Sequence, residues 1–295
     1  MVDVFESTDP LVRRIWGYLL ERFPPVAYTV LVALFTGSAF GLVAAIGGRS
    51  PSTVHGVAAG GVTLLVFLHL RLMDEHKDFE SDRVAYPERL LSRGVVSLSL
   101  LARLGVVAVI AEGLLAVFIS RTAALAWGLC LFFTVLMRIE FGVGAWLSRH
   151  LVLYAITHNP IVGLLAYFLW VAAGGSVGAE MWLYIAIVSV GSLAFEVGRK
   201  VRLEAEEIPG VESYSSVLGK SGADTLLVVL RFLTGMGLLW LASMRGQPWI
   251  GAVAMMAQFV GCGVLKVTHR KAKVTEGIAT LLLLLDFILI WMLAW

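Results

Sequence analysis

Charge is what this 295-residue chain has least of. Asp, Glu, Lys and Arg make up 15% of it against 59% hydrophobic residues, with a mean hydropathy of +0.86. A water-soluble globular domain carries about 25% charged and 45–50% apolar residues, so that class is excluded and an integral membrane protein is indicated. Cysteine is scarce too. Cys130 and Cys262 both lie inside apolar runs, which excludes a disulfide framework and a thiolate metal site and leaves them as small packing residues. The first twenty residues carry Asp3, Glu6, Asp9, Arg13 and Arg14 without an apolar core ending in small residues. A cleavable signal peptide is not expected. The formal net charge of +2 says little about partners, and no nucleic-acid partner is expected.

What the chain does have is long apolar runs. Nine of them, at about 24–47, 52–73, 95–119, 122–138, 151–173, 177–198, 222–243, 248–268 and 274–294, approach the roughly 20 residues that a helix needs to cross about 30 Å of hydrocarbon. Residues 1–22 place Val12, Ile15, Trp16, Leu19 and Leu20 at helical spacing between charges, the pattern of a helix lying along the bilayer surface. The chain therefore divides into an interfacial segment, 1–22, and an all-α transmembrane domain, 23–295. With the N-terminus inside, the 23 Lys and Arg residues gather in the cytoplasmic loops, except Arg49, Arg121 and Arg245 on the other side and Arg103 and Arg231 within runs. Nine spans with the C-terminus outside satisfy this asymmetry. The loops 74–94, 138–150 and 199–221 are longer than the external ones, and chemistry is expected there. A helix kink is expected at Pro160 in His158-Asn159-Pro160.

The most unusual stretch is Asp74-Glu75-His76-Lys77-Asp78-Phe79-Glu80-Ser81-Asp82. If the second helix continues through it, Asp74, Asp78 and Asp82 rise on one face. Like charges four residues apart repel by a few tenths of a kcal/mol. A hard divalent cation such as Mg²⁺ would relieve that repulsion; a solvated acidic helix end, with Lys77 and Arg83 as ordinary neighbours, is the other reading. Glu196, Arg199, Lys200, Arg202, Glu204, Glu206 and Glu207 precede Pro209-Gly210 and Gly219 in the third long loop, and by themselves also read as an ion-paired helix stop.

Two such loops, each following an even-numbered helix of nine, resemble the UbiA-type intramembrane prenyltransferase superfamily. Its first motif, Asn-Asp-x-x-Asp-x-x-x-Asp with Pro, Arg and Gly beyond, is similar to Asp74-Glu75-x-x-Asp78-x-x-x-Asp82 followed by Pro87, Arg89 and Gly94. Asp74 replaces the usual Asn, Leu90 the usual Pro and Arg93 a small residue. The second motif departs further: Gly210, Ser213 and Gly219 keep its tail, but Arg202 and Glu206 stand where two metal-binding aspartates belong. A guanidinium has no acceptor for a metal, yet can clamp a phosphate.

The resemblance implies a bundle of nine helices around a central cavity and a Mg²⁺-dependent enzyme that ionises an isoprenyl diphosphate and passes the prenyl cation to a lipophilic, aromatic acceptor. Intramolecular capture, as in the UbiA-like terpene cyclases, is the alternative. It assigns the metal to Asp74, Asp78, Asp82 and Glu206. The diphosphate falls to Lys77, Arg89, Arg149, Arg199, Lys200 and Arg202, and catalysis to the triad with Glu196 and Lys200. Aromatic residues such as Phe35, Phe132, Tyr154, Trp170, Tyr184, Phe232 and Trp240 are available to line a cation's cavity. Among ionisable residues within the spans, Arg103 is expected to reach a headgroup or to snorkel to the interface, and Glu112, Arg231 and Asp286 to serve the site or to be paired. A small transporter would instead spread such groups along a path, and a CDP-alcohol phosphotransferase would open on Asp-Gly-x-x-Asp-Gly-Ala-Arg, which is absent.

Overall fold

The computed structural model describes residues 5–47, 50–207, 211–268 and 272–295. Among these, nine stretches are long and apolar enough to cross a membrane. The surface helix is α1 (Leu11–Arg22). The spans are α2 (Pro25–Gly47), α3 (Thr53–Lys77), α5 (Leu98–Ile119), α6 (Arg121–Arg138), the pair α8 (Leu151–His158) and α9 (Pro160–Ala172), α10 (Ala179–Arg199), α11 (Tyr214–Met244), α12 (Pro248–Thr268) and α13 (Ala272–Met292). Short helices α4 (Phe79–Ala85) and α7 (Gly144–Leu147) lie in the first two long loops. Successive spans pack on one another, and α13 returns to α2, so the nine close into a ring. Its interior is filled by apolar side chains from α2, α9, α10 and α13, with Phe35 stacked on Phe287 at 4.9 Å and Trp170 and Tyr184 buried beside them.

The helix starts have local causes. Ser52, Ser97 and Ser120 each accept a hydrogen bond from the backbone N–H three residues on, supplying an acceptor to a donor that has no partner within the helix. Ser213 and Ser216 form a reciprocal capping box, and this begins α11 two turns ahead of the expected 222. The helix then breaks at Gly219, whose φ of 68° suits a residue without a Cβ. Pro160 behaves as expected. It cannot donate to a preceding carbonyl, so α8 ends at His158 and α9 starts on the proline.

Two expectations need correction. The second span does not continue as one helix through the acidic stretch: Asp78 adopts φ −96° and ψ 5°, ending α3 and starting α4. The N-terminal segment does more than lie on a surface. One face of α1 exposes Val12, Trp16 and Leu20, while Tyr18 is buried against Leu72, Leu90, Leu91 and Leu101.

Candidate active site at the loop-rich end of the ring

Strict alternation of direction brings the C-termini of α3, α6 and α10 and the N-termini of α8 and α11 to one end, so both charged clusters share that end. At the first, Asp74 stands in the last turn of α3, Asp78 at the break and Asp82 in α4. Asp82 accepts from Arg89 at 2.5 Å and from Arg22 at 3.5 Å. Arg89 stacks on Tyr86 at 3.6 Å, in a loop whose turn is completed by Gly94 at φ 73°. Arg22 donates to the buried Glu75 at 2.6 Å, and Glu21 accepts from the Leu90 amide at 3.1 Å. The end of α1 is thereby tied to the acidic stretch.

Asp74 and Asp78 have no side-chain hydrogen bond or ion pair among the described residues, and no three Asp, Glu, His or Cys residues there converge on a point that could hold a metal ion. Desolvation pushes the Asp78 carboxyl above the ordinary carboxylate range, with Asp74, Asp82 and Glu140 adding to the rise and Lys77 opposing it. Two unpartnered carboxylates one turn apart suit an ion that completes its shell with phosphate and water, as Mg²⁺ does, better than a cage made only of protein.

Lys77 points to the fifth span. It donates to the Tyr154 hydroxyl, lies 4.8 Å from the Tyr154 ring centre and pairs with Glu140 at 3.4 Å. His158 stacks on Tyr154 at 3.9 Å and meets Phe141 edge-on. A hollow of about 20 Å³, enough for one water, is lined by Asp74, Lys77, Arg138, His158, Leu70, Met73 and Met137.

The second cluster closes on itself. Glu196 accepts from Arg199 at 2.6 Å and from Lys200 at 2.8 Å. The Arg202 amide donates to Ser215 at 2.8 Å, while one buried guanidinium nitrogen has no partner. Glu206 lies in the 3-10 turn Glu204–Glu206, and Gly210 falls outside the described residues. None of 196–206 lines the hollow beside Asp74. The helix α8 contacts α10 and, through Tyr154, reaches α3, so it stands between the two clusters. Arg149 is exposed.

Three of the ionisable groups within the spans, Glu112, Arg231 and Asp286, are paired. Glu112 is held by His69 at 2.6 Å and Trp127 at 3.0 Å. Asp286 is held by Arg231 at 3.1 Å and Gln258 at 2.7 Å. These are separate buried clusters on different helices, not a continuous path. Arg103 is exposed one and a half turns into α5 and donates to the Ser99 carbonyl. Phe132, Phe232 and Trp240 are exposed. Sequence reasoning missed Arg22 and Glu140 as site neighbours. Nothing local marks them, because their partners are distant in the chain.

No sequence-family model and no curated protein sequence matches the chain. Solved structures do. A UbiA homologue from Aeropyrum pernix superposes with a TM-score of 0.65 at 15% identity, covering 90% of this chain and 95% of its own. A digeranylgeranylglyceryl phosphate synthase aligns at 0.63 and 15%, over 96% and 99%. The chain has the UbiA-type fold. A further UbiA homologue, from Archaeoglobus fulgidus and bound to DMAPP and Mg²⁺, aligns at 0.63 and 14%, over 93% and 99%. In this UbiA-type ring the acidic stretch and the 196–206 cluster end the second and sixth spans.

Proposed function

We propose that the protein is a Mg²⁺-dependent membrane prenyltransferase, ionising an isoprenyl diphosphate and passing the prenyl group to a lipophilic, aromatic acceptor. The observation that carries this reading is the pair of unpartnered carboxylates, Asp74 and Asp78, set one turn apart beside Lys77 at the mouth of an apolar ring. The neighbour of the same fold that holds DMAPP and Mg²⁺ supports it.

The substrate's two halves need opposite surroundings. Its tail fits apolar helices, and its diphosphate is costly near lipid unless neutralised. Asp74 and Asp78, with Asp82 once released from Arg89, would hold a divalent metal. Bound there, the metal would offset the charge that develops on the departing diphosphate. Lys77 and Arg89, both on the same stretch, would donate to the phosphate oxygens and stabilise the same charge. Arg202 offers a further buried guanidinium; for Arg199 and Lys200 to contribute they would have to leave Glu196. A cation formed at this mouth would lie among Tyr154, Phe133 and Phe141, and ring faces stabilise such charge by about 0.5–2 kcal/mol each.

The test is to incubate purified protein with geranyl, farnesyl and geranylgeranyl diphosphates and Mg²⁺, with and without an aromatic acceptor, and to identify products by mass spectrometry. A prenylated acceptor is the expected product. A hydrocarbon or alcohol formed equally well without acceptor would turn the assignment to a cyclase, and no consumption of any diphosphate would reject it.

A further inference from the structure

We infer that His158 is the proton acceptor of the reaction, taking through Nε2 the proton that must leave once the prenyl cation has been captured. This rests on the prenyl-diphosphate reading above and extends it to a residue outside both acidic motifs. Three observations converge. First, the His158 Nδ1 lies 2.8 Å from the Tyr154 carbonyl oxygen. A carbonyl only accepts, so Nδ1 carries the hydrogen, and in the neutral ring Nε2 is left with its lone pair. Second, that Nε2 is buried and has no partner, while His158 lines the same hollow as Asp74 and Lys77. Third, the ring is fixed: it stacks on Tyr154 at 3.9 Å with planes 12° apart, Phe141 abuts it edge-on at 5.5 Å, and the helix break at Pro160 follows at once.

The charged groups around the ring are Asp74 and Lys77 from α3, Glu140 from the turn after α6 and Arg138 from its end. The two carboxylates favour an imidazolium once formed; the two cations oppose it beforehand. The chemistry balances. The allylic C–O bond breaks and its electron pair leaves with the diphosphate. An acceptor carbon or oxygen supplies the pair for the new bond to the prenyl carbon. The acceptor's C–H or O–H proton then passes to Nε2, restoring neutrality to the product. His158 acts after ionisation, so its loss should separate two events that normally travel together.

The experiment compares native protein with His158→Asn, whose amide can still donate to the Tyr154 carbonyl, and with His158→Ala, each checked for folding by detergent melting. The probes are farnesyl and geranylgeranyl diphosphates with Mg²⁺ and hydroquinone as acceptor. Diphosphate release and prenylated product are measured in a single turnover. For His158→Asn the expected result is release within a few-fold of native, prenylated product down about a hundredfold or more and prenyl alcohol raised in its place; imidazole should restore product to His158→Ala. Product unchanged in a folded His158→Asn, or release and product falling together, overturns the base assignment while leaving the prenyl reading intact. No release from the native protein overturns both.

Discussion

Removing Arg22 tests how the surface helix holds the site together. Its Nε donates to Glu75 at 2.6 Å, and the Glu75 side chain is only 2% exposed. Arg22→Ala would strand that carboxylate under α1 without its hydrogen-bonded counter-charge, leaving only the nearby Arg71 to attract it. Breaking a buried pair from one side costs about 3–5 kcal/mol. Arg22 keeps 15% of its side chain exposed, which places the expected loss at the low end, about 3 kcal/mol. Glu75→Gln should cost less, because Arg22 still reaches Asp82 and water. The two changes share a contact, so the double variant should lose less than their sum, by about 1–2 kcal/mol. Equilibrium unfolding in detergent micelles, followed by tryptophan fluorescence, measures all three. Additivity within about 0.5 kcal/mol would refute the reasoning, because independent sites behave that way.

Asp78→Asn should separate stability from activity. Folding raises this carboxyl's pKa, so the folded chain holds the proton more tightly than the unfolded one, and stability falls as pH rises from the ordinary carboxylate range through the raised value. At neutral pH the amide removes that penalty: the melting temperature should rise while diphosphate release is lost, and a lower melting temperature would contradict this. Asp286→Ala leaves Arg231 buried without its counter-charge and should cost about 3 kcal/mol or more, whereas Asp286→Asn, whose one oxygen still accepts from Arg231 while its NH2 can donate to the unpartnered Gln258 oxygen, should cost less; melting of the two variants decides. Asn159→Ala removes the bonds to the Ser189 carbonyl and from Ser192 and should lower stability by about 2 kcal/mol, with the fifth span loosened in hydrogen exchange.

The spans were legible because hydropathy reports directly what a bilayer demands of a helix. Pro160 was legible for a similar reason, since proline has a backbone constraint of its own; the break at Gly219 was not expected. The early start of α11 was not, because it depends on two serine hydroxyls closing a cap rather than on apolarity. The acidic stretch announced itself by spacing, but its division did not: Asp82 is held by Arg89 and Arg22 while Asp74 and Asp78 are left open. That outcome turns on a surface helix whose docking no local pattern encodes. For the 199–206 cluster, the periodicity displayed cations available to a phosphate, whereas Glu196 sits three and four residues before Arg199 and Lys200, on the same helix face, and pairs with both. The lone pair on His158 was invisible until the Tyr154 carbonyl fixed its tautomer.

The account stands on the Asp74–Asp78 pair gripping a metal-bound diphosphate. Its most direct measurement is diphosphate release from farnesyl or geranylgeranyl diphosphate by purified native protein and by Asp78→Ala, each with Mg²⁺ and with a chelator. Release that requires Mg²⁺ and falls at least a hundredfold in the variant is predicted; equal release by both proteins, or release indifferent to the chelator, would contradict it.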